Sequence, residues 1–101
     1  MKRIFIAAGV AISLFILILP LAALADQANP SVLADACAAC HGTDGKSPST
    51  IPSIQGKSAD YMVQRLMAFK SGKREGTVMN RIAKGYSDSE IMAIAKHLAS
   101  K

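Results

Sequence analysis

Cys37-Ala38-Ala39-Cys40-His41 sets two thiols three residues apart with an imidazole on the residue that follows. On a helix, residues at that spacing share one face, so two sulfurs can bond along one edge of a flat ligand while the imidazole reaches its centre. C-x-x-C-H is the attachment signature of a covalent c-type haem, with the thiols converted to thioethers and the histidine beneath the iron. C-x-x-C alone would also suit a thioredoxin-like redox pair or half of a zinc site. The redox pair needs an alternating strand and helix pattern that the sequence lacks. The zinc site needs a second ligand pair, and His97 is the only other imidazole.

Three segments have the periodicity to position these groups. Asn29-Pro30 offers an N-cap with proline at the first helical position, after which Leu33, Ala36, Cys37 and Cys40 form one stripe. Gly42 stops that helix directly behind His41. Residues 42–57, with Pro48 and Pro52, read as a long loop. Ser58 caps a second helix with Met62, Leu66 and Phe69 on its apolar face and an end near Gly72. A short helical turn is expected from Arg81 to Lys84. Ser87-Asp88-Ser89-Glu90 is a capping box for the last helix, whose buried face is Ile91, Ile94, Ala95 and Leu98.

The first 25 residues belong to a different class of segment. Lys2 and Arg3 precede 22 uncharged residues from Ile4 to Ala25, which end in Pro20 and the small-residue site Ala23-Leu24-Ala25. That is the pattern of a cleavable secretory signal peptide, leaving residues 26–101 as the mature domain of 76 residues. The same run is long enough to anchor the chain in a membrane if it is not cleaved. Two of the 12 Lys and Arg lie in the leader and all 7 acidic residues outside it, so the mature chain carries +3 rather than +5. Two haem propionates offset most of that charge. With 5% aromatic residues as well, a nucleic-acid surface is excluded. A domain this small buries little surface and needs a staple, which a covalent cofactor provides.

The sixth iron position remains to be filled from Met62, Met67, Met79, Met92 or His97. Met62, Met67 and Met92 fall inside helical patterns, where a methionine more often fills space. Met79 lies between Gly76 and Gly85, before the last helix. His97 would give a bis-His iron of lower potential, but it lies off the apolar stripe of that helix.

From Asp26 to Lys101 the chain resembles a class I c-type cytochrome. The likeness rests on the helix ending in Cys37-Ala38-Ala39-Cys40-His41, the loop Ile51-Pro52-Ser53-Ile54-Gln55-Gly56, and a methionine before the last helix. It implies an all-α, cytochrome c-like fold of three main helices and short turns around one covalent haem c. Cys37 and Cys40 are then the thioethers, His41 and Met79 the axial ligands, and the Pro52 carbonyl the acceptor for His41 Nδ1. The resemblance departs at His97, where that family often has an aromatic residue.

The resemblance further implies a periplasmic, non-enzymatic electron carrier with redox proteins as partners. A haem enzyme or gas sensor follows only if Met79 leaves the iron open. The segment Thr77-Val78-Met79-Asn80-Arg81-Ile82-Ala83-Lys84-Gly85-Tyr86-Ser87, with Cys-Ala-Ala-Cys-His-Gly, is similar to the cytochrome subunit of flavocytochrome c sulfide dehydrogenases. That likeness implies a sulfide-oxidising flavoprotein as donor, with a free soluble carrier as the alternative. Lys70, Lys73, Arg74, Arg81 and Lys84 flank Met79 and are expected to form a basic rim.

Overall fold

Helix starts in this chain coincide with side chains that take up unpaired backbone donors. Residues 28–101 are described by a computed structural model, and the expected leader, residues 1–25, lies outside the described residues. Helix α1 (Pro30–His41) follows Asn29, whose Oδ1 accepts from the Ser31 backbone N–H at 3.0 Å. Helix α2 (Ala59–Ser71) follows Ser58, whose Oγ accepts from the Tyr61 N–H at 3.1 Å. Helix α3 (Met79–Lys84) is the exception, with no side-chain cap at Val78. Helix α4 (Asp88–Ala99) has the complete box: Ser87 Oγ accepts from Glu90 N–H, and Glu90 Oε1 accepts from Ser87 N–H. The described residues hold no strand, and the expected all-α class is observed.

Packing converges on α4. Its Ile91, Ile94, Ala95 and Leu98 are all buried, the face that the periodicity predicts. Helices α1 and α2 both pack on α4, and α3 packs on α2. Ala34 of α1 is buried in the same cluster as Ala95, where two small side chains allow close helix approach. This turns α1 away from the expected stripe: Leu33 and Cys37 pack on the core beside Ala34, whereas Ala36 and Cys40 are exposed. Lys70 Nζ donates to the Tyr86 carbonyl at 2.7 Å and to Asp88 Oδ1 at 2.8 Å, tying the end of α2 to the start of α4. Asp88 is 65% exposed, so the ion pair contributes at most about 1 kcal/mol.

The loop after α1 contains a 3-10 turn at Thr43–Gly45, a departure from the irregular loop expected there. Gly42 makes the turn possible at φ +86°, where a Cβ would sit 1.9 Å from the Lys46 carbonyl oxygen. The Gly45 carbonyl then accepts from both Ile54 N–H (2.9 Å) and Gln55 N–H (3.1 Å). Ser53 Oγ accepts from Ser47 N–H at 2.8 Å and closes the same loop.

Gly42 and Gly72 have nearly the same φ, yet nothing lies within 4 Å of a Cβ at Gly72. Gly72→Ala is therefore expected to cost about 1 to 2 kcal/mol, from backbone strain alone. Gly42→Ala adds a collision with backbone and should cost about 3 kcal/mol or more. Thermal unfolding of the two holoproteins measures the contrast, and equal losses would contradict it.

Candidate functional site

The loop anchors deliver one carbonyl to one imidazole. Pro52 stands two residues before Ile54, and with Ile54 and Gln55 held on Gly45 its carbonyl oxygen lies 2.6 Å from His41 Nδ1. A carbonyl can only accept, so Nδ1 carries the hydrogen. The neutral ring therefore presents the Nε2 lone pair to a metal, and the bond raises the basicity of that nitrogen. His41 itself is half-buried at the last position of α1.

Cys37 and Cys40 lie on the last turns of α1 and form no disulfide. Cys37 is half-buried against the core, and burial pushes its thiol above the usual range while a backbone hydrogen bond opposes the shift. Cys40 is exposed. The Tyr86 phenol is raised by burial first, then by the charges of Cys37 and Glu90. Among the described residues no three of His, Cys, Asp and Glu gather closely enough to hold a bare metal ion. Among the described residues the cysteine pair therefore has no third such ligand for zinc.

Met79 is half-buried and is the first residue of α3. The expected helical turn from Arg81 to Lys84 thus starts two residues early and includes the methionine. The Val78 carbonyl accepts from both Arg81 N–H (3.0 Å) and Ile82 N–H (3.1 Å), which winds the first turn without a polar cap. Helices α1 and α3 share no substantial packing interface, so the structure joins His41 to Pro52 directly but leaves Met79 on a separate element. Ile51, Val78 and Ile82 are 38%, 53% and 42% exposed on the segments that carry Pro52 and Met79. Two cysteines and one oriented imidazole at the end of α1 suit a group bound through sulfur and nitrogen.

His97 is half-buried in a shallow pocket with Asp35, Cys37, Asp44, Gly45 and Lys101, a set that includes neither His41 nor Met79. Asn80 is the residue that pattern reading missed. Its side chain makes three hydrogen bonds to backbone around the Met79 turn. The signal available in the sequence was a short amide between a methionine and an arginine near a glycine, which carries no periodicity.

A family model described as Cytochrome c matches residues 28–101. The chain is 49% identical over 74 residues to the cytochrome subunit of sulfide dehydrogenase of Chlorobaculum tepidum, covering 73% of this chain and 67% of that protein. It is 39% identical over 69 residues to cytochrome c-554(548) of Halomonas halodenitrificans, covering 64% of this chain and 83% of that protein. It is also 40% identical over 73 residues to a thiosulfate dehydrogenase electron acceptor of Stutzerimonas stutzeri, covering 70% of this chain but 33% of that protein.

If both sulfurs are bonded to the cofactor, haem must stay with the denatured polypeptide. Acid–acetone extraction should leave all haem on the wild type and on the single variants Cys37→Ala and Cys40→Ala, and remove it from the double variant. Haem lost from the wild type would overturn covalent attachment.

Proposed function

The chain belongs to the cytochrome c family, and from that premise we propose that it carries single electrons between redox proteins. We assign Cys37 and Cys40 as the thioether sites of one haem c, His41 and Met79 as its axial ligands, and Pro52 as the acceptor that orients His41. Bound haem supplies one-electron Fe(III)/Fe(II) exchange, at a potential that thioether ligation raises. The observation that carries the reading is the 2.6 Å His41 Nδ1–Pro52 carbonyl contact, which leaves Nε2 free as a neutral donor.

The chain's own contribution is to hold ligands and exclude others. Were His41 and Met79 both to hold the iron, no coordination position would be left for a substrate, and the reading is of a carrier rather than an enzyme.

The donor under this reading is the flavoprotein of a sulfide dehydrogenase. The likeness to a cytochrome subunit of sulfide dehydrogenase supports it. The likeness to a thiosulfate dehydrogenase electron acceptor supports the second reading, a free carrier for another redox chain. Co-purification with a flavin-containing partner and sulfide-dependent haem reduction would favour the first, and an isolated haem protein indifferent to sulfide the second. The leader pattern and the exported chemistry of haem attachment in the family support a periplasmic location. No helix of the described residues is long and apolar enough to cross a membrane.

Lys73, Arg74, Arg81 and Lys84 are exposed around the Met79 turn, while Lys70 is occupied by Asp88 and the Tyr86 carbonyl and drops out of the expected rim. The four remaining cations suit an acidic partner.

Two measurements check the assignment. Met79→Ala should abolish the weak far-red charge-transfer band of the ferric protein, and a variant with the wild-type spectrum would remove Met79 as ligand. The double variant Lys73→Glu/Lys84→Glu should slow association with an acidic partner by about tenfold at low salt, with the gap closing as salt rises. A rate independent of both charge and salt would exclude electrostatic docking.

A further inference from the structure

We propose that Asn80 is a positioning residue that holds Met79 in place as an iron ligand. The proposal rests on the reading of Met79 given above. The two amide hydrogens of Asn80 point at the carbonyls of Phe69 (2.9 Å) and Arg74 (2.7 Å), and its oxygen accepts from the Gly76 N–H (2.7 Å). The reversed amide would set an NH2 against an N–H and an oxygen against two carbonyls, so the partners define its orientation. Phe69 lies in the last turn of α2, and its carbonyl also accepts from the capping Gly72 N–H at 3.3 Å. Arg74 and Gly76 lie in the connection to α3. One side chain therefore joins the end of α2, the connection and the start of α3, one residue from Met79.

The clamp acts on Met79 through Gly76. A Cβ at Gly76 would lie 2.9 Å from Phe69 Cε1 and 3.3 Å from Met79 Cβ, so this backbone is already seated between the aromatic ring and the methionine. Arg74 closes the other side, with its guanidinium 5.4 Å from the centre of the Phe69 ring. The Asn80 bond to Gly76 N–H sets the strip of backbone on which Met79 rests. Helix α3 has six residues and no side-chain cap of its own; the Val78 carbonyl and packing on α2 wind it, and Asn80 is the side chain that hydrogen-bonds its start to the connection. The Asn80 side chain makes no hydrogen bond to α1 or α4. Its loss loosens the methionine turn while leaving the His41 side intact.

The test is titration of the ferric holoprotein with imidazole, which competes with the thioether for the iron, read together with the far-red band. Asn80→Ala and the isosteric Asn80→Asp remove both amide donors. Each is expected to tighten imidazole binding by roughly tenfold or more, as lost buried hydrogen bonds allow, and to weaken the band. Asn80→Asp keeps the acceptor for Gly76 and carries the comparison alone if the alanine variant does not accumulate. Ile94→Val, a core change in α4 remote from the clamp, should lower thermal stability without changing imidazole affinity. Wild-type affinity and band in both Asn80 variants would overturn the clamp while loss of the band in Met79→Ala leaves the ligand reading standing. A band retained in Met79→Ala would overturn the ligand reading itself. If Ile94→Val tightens imidazole as much as the Asn80 variants at equal loss of stability, the effect is general loosening and the clamp is overturned.

Discussion

The hydrogen bond from His41 Nδ1 to the Pro52 carbonyl is the constraint on which the site depends. In energy it is an ordinary contact, about 1 kcal/mol net. Its importance is that it selects one ring tautomer and orients the ring. The bond exists only because the chain reverses at Gly42, winds a 3-10 turn, and presents the Gly45 carbonyl to two successive amides of the returning strand of loop. Local backbone geometry between His41 and Gln55 is converted into ligand orientation, with Ile54 seated against the helical core.

The two halves of the site are built on different principles. Cys37, Cys40 and His41 share the end of one helix, so their relative positions follow from helical geometry and one loop. Met79 belongs to a short helix that packs on α2 and has no substantial interface with α1. Its position relative to His41 passes through α2 and α4. The hydrophobic core that relays it is small and sits mostly on α4. Domains of this size often need a staple beyond their own core, and Ile51, Val78 and Ile82 are left exposed on the segments that carry Pro52 and Met79. The covalent side is thus sturdy by construction, and the methionine side is the one whose looseness would turn a carrier into a ligand-binding protein.

What could be read from the sequence was what depends on residues near one another. The capping box at Ser87 and the buried face of α4 appear in the structure residue for residue, because both follow from spacing within one helix. The Ser58 cap and the Gly72 stop of α2 are local in the same sense. The stripe on α1 was rotated, since which face of a helix is buried depends on its neighbour, and here the neighbour meets it at Ala34. The start of α3 at Met79 was hidden because it lacks a polar cap. Lys70 and Asn80 were not legible as tethers: Lys70 reaches Tyr86 and Asp88 across the α3 segment, and Asn80 reaches back to Phe69 as well as to nearby Arg74 and Gly76, relations with no period to detect. The assignment of Pro52 came from family likeness and not from spacing, and the observed contact with His41 is the geometry that likeness implied.

The central claim is that the iron is closed on both faces, by His41 and by Met79. Exposure of the reduced protein to carbon monoxide probes this most directly, since the gas binds ferrous haem wherever an axial position is free or readily vacated. The account predicts an unchanged visible spectrum under saturating carbon monoxide at neutral pH. A rapid shift of the main haem absorption band in the wild-type protein would contradict it and point instead to an open, ligand-binding haem.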